Sequence, residues 1–138
     1  LVIRTHGAGR GYSMSWDADL SNVCSTCGHE ECYERWNYTH NCNAMISAIV
    51  EEMGYTLERH WLIGHMGKSW FEILNGLTGA AGSAFLASIL SSLYADPERF
   101  TSMNPRNGWG SYETLLPVLQ DMHDVGMEYP TAVWKVTG

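Results

Sequence analysis

The hydrophobic period changes twice along this chain of 138 residues, and that change limits the folds open to it. Near the beginning, Tyr12-Ser13-Met14-Ser15-Trp16 alternates large apolar with small polar side chains, and Ala132-Val133-Trp134-Lys135-Val136 does so near the end. A period of two places successive side chains on opposite faces of a strand. Between these ends the apolar residues recur at three and four. Met45, Ile46, Ile49, Val50 and Met53 form a stripe that begins after Asn41 and stops at Gly54, a natural helix end. A short helical stretch follows from Lys68 to about Leu74. Thr78 is placed to cap a helix carrying Phe85, Leu86, Ile89, Leu90 and Leu93, which Asp96-Pro97 stops. Ser111 is placed to cap a last one, with Tyr112, Leu115, Leu116, Leu119 and Met122 inward and Pro117 predicting a kink. The expected class is α+β: a small sheet including the N- and C-terminal strands, with three to four helices on one face.

With 45% hydrophobic and 17% charged residues the chain should bury one real core, so residues 12–138 read as a single domain and disorder is not expected. Residues 1–11, with no periodicity, read as a flexible leader or a remnant foreign to the domain; Gly7-Ala8-Gly9-Arg10-Gly11 lacks the strand and helix that a dinucleotide loop needs. The net charge of −7 argues against a sequence-independent grip on duplex nucleic acid or anionic lipid. The uncharged run from Ile73 to Ala95 is broken by Asn75, Gly76, Thr78, Gly79, Gly82 and Ser83, so no membrane span is expected. No secretory signal pattern opens the sequence, which makes a cytoplasmic location the expectation.

All four cysteines lie within one window, Cys24, Cys27, Cys32 and Cys42, with His29 and His40 among them. A Cys-x-x-Cys turn followed by Gly28 puts two thiolates on one side of a knuckle, and Zn²⁺ seeks four soft or borderline ligands in a tetrahedron. Cys24, Cys27 and Cys32 are the expected ligands of a structural zinc in a knuckle-like loop near the N-terminus. His29 is the expected fourth, with His40 and Cys42 competing for that place. A redox pair is disfavoured because Glu30 and Glu31 raise thiol pKa values, and disulfides because no secretory context is evident.

Two polar segments each open a helix. In Trp36-Asn37-Tyr38-Thr39-His40-Asn41, Thr39 or Asn41 can cap the helix while Trp36 and Tyr38 alternate as a short strand. The same donors beside free helix N–H groups can also receive an anion or a carbonyl. In Asn104-Pro105-Arg106-Asn107-Gly108-Trp109-Gly110-Ser111-Tyr112, a tight turn explains the Asn and Gly residues; alternatively Trp109 and Tyr112 with Arg106 form a face for a planar ring and its phosphate. The remaining histidines, His6, His60, His65 and His123, lie apart in sequence and read as surface or core residues.

Taken with Ala95-Asp96-Pro97-Glu98-Arg99-Phe100 between them, these segments resemble a family of small, largely uncharacterised proteins encoded by phages and bacteria. Its members carry an Asn-x-Thr-His-Asn element and an Asn-Pro-x-Asn-Gly-Trp-Gly-x-Tyr element, each before a helix. The resemblance spans roughly residues 12–137, and the Gly-rich stretch around Gly76 to Gly82 and Pro117 depart from it. It implies a phage or prophage setting, in the host cytoplasm, and no established reaction. The expected function is binding of a small ligand, a nucleotide-like signal of host defence, in one concavity lined by Asn37, Thr39, His40, Asn41, Arg106, Asn107, Trp109 and Tyr112. The alternatives are an interaction module acting on a host protein, and a small hydrolase using His40 with Glu34 or Glu113 as its partner. No nucleophile elbow, phosphate loop or His-Glu-x-x-His helix is present.

Overall fold

The structure, a computed structural model, describes residues 15–55 and 69–138. The leader, the Tyr12–Met14 start of the first expected strand, His6, His60, His65 and Lys68 lie outside the described residues.

Strands β1 (Ser15–Val23), β2 (Glu30–Thr39) and β3 (Val133–Thr137) form an antiparallel sheet in the order β2-β1-β3. The first and last of these strands thus pair directly, Ala18 opposite Val136 and Leu20 opposite Trp134. The alternation seen at Trp16 continues through Ala18 and Leu20, and all three side chains are fully buried, as is Trp134. Asp17 and Asp19 take the opposite face, where Arg35 Nε lies 3.4 Å from Asp19 Oδ1. Leu20 pairs with Glu34 and Ser21 with Cys32, which leaves Tyr33 as the extra residue of a bulge. Bulges re-aim side chains; here the Tyr33 ring stacks on Tyr129 at 4.0 Å between centroids, 7° from parallel.

Among the described residues the helices are α1 (Asn43–Glu52), α2 (Trp70–Leu74), α3 (Gly79–Ala95), α4 (Pro97–Thr101) and α5 (Tyr112–Glu128). The stripes of α1 and α3 are buried as their spacing predicts, except that Met53 lies just past α1 and is 37% exposed. Asp96-Pro97 does stop α3, and Asp96 then accepts from the Arg99 N–H and caps α4. Helix α3 begins where expected, with Thr78 Oγ1 accepting from the Ala81 N–H at 3.1 Å.

The Gly-rich start of α3 is a packing device. A Cβ at Gly79 would stand 2.1 Å from the carbonyl oxygen of Tyr129, and one at Gly82 2.3 Å from the Trp134 ring. Across the crossing, a Cβ at Gly126 of α5 would stand 2.3 Å from the Ser83 hydroxyl, which donates to the His123 carbonyl at 2.8 Å. The core therefore runs from the inner sheet face through Trp36 and Trp134, whose rings meet at 5.3 Å, into the α3/α5 crossing. Each such fully buried side chain contributes on the order of 1.5–3 kcal/mol. Trp36 Nε1 also donates to Asp121 Oδ2 at 2.8 Å, tying β2 to α5. No helix among the described residues is long and apolar enough to cross a membrane.

Candidate functional site

Helix α5 starts at Tyr112 because Ser111 and Thr114 form a reciprocal capping box, their N–H groups and hydroxyls bonding at 2.9 and 3.2 Å. The loop before it, from Ser102 to Gly110, is held by its own side chains. Asn104 Oδ1 accepts from the Tyr112 N–H at 2.7 Å, Asn107 Oδ1 accepts from the Trp109 N–H at 2.9 Å, and Gly108 and Gly110 take φ of 74° and 86°. That geometry turns Trp109 out into solvent, 58% exposed, with Arg106 also exposed.

The same geometry brings the two polar segments together. A Cβ at Gly110 would meet Thr39 Cγ2 at 2.5 Å and Cys42 Sγ at 3.0 Å. From the β2 side the Tyr38 hydroxyl reaches the Ser111 carbonyl at 3.4 Å and bonds the Thr114 hydroxyl. Burial pushes the Tyr38 phenol up to about 12, so it is protonated at any physiological pH and can donate into this seam.

Within that arrangement several of the expected ligand-binding groups are committed to the fold. Asn37 Nδ2 donates to Ser15 Oγ and Asp17 Oδ1, both at 2.8 Å, and so fastens β2 to β1. Thr39 Oγ1 accepts from the Asn41 N–H at 3.3 Å and caps a 3-10 turn, His40–Cys42, that precedes α1. Tyr112 is a correction: its ring is buried and its hydroxyl donates to the Leu93 carbonyl at 2.6 Å, so it offers no stacking face. Two polar atoms of the first segment remain unsatisfied. His40 Nε2 and Asn41 Nδ2 are buried and have no hydrogen-bond partner.

His40 packs its ring 5.7 Å from that of Phe71. Burial holds its pKa below the ordinary value of 6.5, against the opposing pull of the Asp17 carboxylate. The carboxylate that acts on His40 is therefore Asp17, and neither Glu34 nor Glu113 fills that place: Glu34 accepts from the Arg35 N–H, and Glu113 is exposed in the first turn of α5. A depressed histidine pKa means that the unfolded chain binds the proton more readily, so stability is full above pH 6.5 and falls as the pH drops through the folded value. Melting temperatures measured between pH 7.5 and 5 should decline accordingly, with a shallower decline in His40→Gln. An equal slope in both proteins would show that His40 does not carry the effect.

The cysteine window folds as a hairpin. Cys24 and Cys27 sit exposed in the β1–β2 turn, closed by bonds from the Cys24 N–H to the His29 carbonyl and from the Gly28 N–H to the Cys24 carbonyl, each 2.8 Å. Gly28 has φ of 72°. The N–H groups of Cys27 and then Thr26 point at the Cys24 sulfur and hold its thiol below the ordinary range. Cys32 lies on β2, its thiol directed at the Glu34 carbonyl. His40 and Cys42 are withdrawn as fourth ligands. The ten residues of β2 separate them from the turn by roughly 30 Å at about 3.3 Å per residue. Cys42 is, besides, fully buried, which pushes its thiol up. Among the described residues, no three His, Cys, Asp or Glu side chains are grouped to hold a metal ion.

Two cavities lie elsewhere. One of about 720 Å³ is lined by Met53, Tyr55, Ile73, Leu77 and Phe85. One of about 240 Å³ lies between α3 and α5, beside Tyr94, Gln120 and His123. Neither includes a residue of the two polar segments. Comparison with protein-family models, with curated proteins and with solved structures finds no match.

Proposed function

We propose that the chain is a recognition protein that docks on another protein through Trp109. The observation carrying this reading is a tryptophan 58% exposed at the tip of a loop whose shape is already fixed. Indole rings are the commonest anchors of protein interfaces, and a loop ordered before binding loses little entropy on docking. Asn104, Asn107 and the capping box supply that order, while Arg106, exposed three residues earlier in the same loop, offers a fork for a carboxylate of the partner. The net charge of −7 favours a partner whose surface is basic around that contact. The resemblance to phage-encoded proteins makes a host protein the natural candidate.

A specific observation favours a second reading, binding of a small nucleotide-like ligand. His40 Nε2 and Asn41 Nδ2 are buried polar atoms that lack partners, and a ligand is one way to satisfy them. With Asn37, Thr39, Asn107 and Tyr112 spent on the fold, such a ligand would be held by His40, Asn41, Arg106 and Trp109. A structural zinc on Cys24 and Cys27, with His29 and Cys32 nearby in sequence, belongs to either reading.

The readings separate in one set of measurements. For a host protein bound by the chain, Trp109→Ala should weaken the affinity about 30-fold, equivalent to about 2 kcal/mol, while the melting temperature stays unchanged. Equal affinity of the two proteins would remove Trp109 from the interface. A nucleotide that raises the melting temperature of the parent but not of Asn41→Ala would put the small ligand first. Multiple turnovers lost in His40→Ala would place catalysis ahead of both.

A further inference from the structure

We propose that the Cys24–Cys27 turn is half of a four-thiolate site, and that two copies of the chain close it around one shared Zn²⁺. This rests on the reading of the turn as a zinc knuckle and goes on to name the source of the missing ligands.

The turn is built as a metal-binding half. Cys24 and Cys27 are both free and exposed, and Gly28 with its positive φ brings the chain back so that the turn closes on the Cys24 and His29 backbone. Two backbone N–H groups, from Cys27 and Thr26, are aimed at the Cys24 sulfur; such donors orient a ligating sulfur and temper its charge. Zinc in a structural site takes four ligands at the corners of a tetrahedron. A two-residue knuckle spans one edge of that tetrahedron, and a second knuckle, turned at right angles, spans the opposite edge.

Among the described residues, neither Cys32 nor Cys42 supplies that second edge. Cys32 stands on the strand beyond the turn, with its thiol on the Glu34 carbonyl and the Arg35 guanidinium beside it. Cys42 is buried in the core. No third ligand among the described residues joins the pair. The hairpin tip is, by contrast, open: every residue from Val23 to Glu31 is exposed. Two such tips can approach about a twofold axis, each giving the other the same two sulfurs, which is the self-complementary geometry of a closed dimer. Val23, immediately before Cys24 and 58% exposed, would meet its own copy in that approach. Glu31 adds negative charge that attracts a divalent cation, while Lys135 Nζ, 3.1 Å from Glu30 Oε1, offsets the like charge of the two tips.

The test uses the full chain, reduced and stripped of metal, titrated with Zn²⁺ and in parallel with Co²⁺, whose thiolate charge-transfer bands report the sulfur count. The expected result is one ion per two chains, a doubling of the mass from 15.4 kDa in sedimentation, a four-thiolate cobalt spectrum, and return to monomer on chelation. Cys24→Ser and Cys27→Ser should lose both ion and dimer, and Cys32→Ser should keep both. One ion per monomeric chain, or loss of the ion in Cys32→Ser, would retain zinc and overturn the sharing. Absence of any bound ion would overturn the zinc knuckle itself, and a dimer indifferent to chelation would overturn the metal as its bond.

Discussion

Gly79→Ala is expected to lower the stability of the folded chain by about 3 kcal/mol, and its melting temperature by about 10 °C, although alanine is the better helix former. At an open helical position the replacement would gain up to about 1 kcal/mol. Here the added methyl would stand 2.1 Å from the Tyr129 carbonyl oxygen and 2.6 Å from that of Gly126. Both are backbone atoms, so no side chain can swing aside and the start of α3 must separate from the end of α5. The separation would stretch two bonds that hold the first turn of α3, from the Gly79 N–H to the Ala132 carbonyl at 2.6 Å and from the Ala80 N–H to the Pro130 carbonyl at 3.0 Å. Overpacking of this kind costs about 1–3 kcal/mol, and each strained hydrogen bond adds about 1. The loss therefore exceeds the propensity gain. Ser91→Ala, on the exposed side of the same helix, should change stability by less than about 0.5 kcal/mol and so controls for propensity. A Gly79→Ala protein melting within 2 °C of the parent would show that α3 and α5 do not cross this closely.

This glycine contact marks where the sequence was silent. The stripes Met45 to Val50 and Phe85 to Leu93 are readable because a buried helix face imposes its period on residue type, and Thr78 and Ser111 because a cap needs a side-chain oxygen at one position. Gly79 and Gly82 carry no such code. They looked like interruptions of an apolar run, and only the approach of Tyr129 and Trp134 from far along the chain gives them a role. The length of β1 was hidden differently. Ala18 is too small to extend the alternation begun at Trp16, although it is fully buried. Strand β2 was masked by its own bulge, since Tyr33 shifts the inward positions by one and breaks the period just where cysteines and acids suggested a metal loop.

The candidate site was legible in its location and less so in its parts. Two Asn-rich segments before helices could be recognised, but Asn37, Asn104 and Asn107 do for the backbone and neighbouring side chains what they would have done for a ligand. The same amide chemistry serves both ends, and sequence does not separate them. Tyr112 was read in two ways, on the inward stripe of the last helix and on the ligand face, and its position as the first residue of α5 keeps only the first, turning it inward to Leu93. Asp17 went unnoticed as the charge beside His40 because 23 positions separate them, and only the pairing of Asp17 with Asn37 brings it to that end of β2.

What makes one site of the two segments is Gly110, and Gly110→Ala is expected to cost about 3 kcal/mol and to impair whatever Trp109 binds. Two effects add. A non-glycine residue at φ of 86° is strained by about 1 kcal/mol, and the new Cβ would press within 2.5 Å of Thr39 Cγ2 and 3.0 Å of Cys42 Sγ. Gly108→Ala separates these terms, because φ there is 74° but nothing lies within 4 Å of the added methyl. It should cost only the strain, about 1 kcal/mol. The steric remainder has a direct test in Thr39→Ser, which removes the methyl that the new Cβ meets while keeping the hydroxyl that accepts from the Asn41 N–H. In the double variant Thr39→Ser with Gly110→Ala, about 1 kcal/mol of the loss should return, measured as the coupling in a double-mutant cycle of denaturant midpoints. A coupling near zero, or equal costs at Gly108 and Gly110, would mean that the loop stands clear of the His40 turn. Trp109 and the two unsatisfied atoms of His40 and Asn41 would then belong to separate surfaces, and the protein-docking and small-ligand readings would no longer compete for one place.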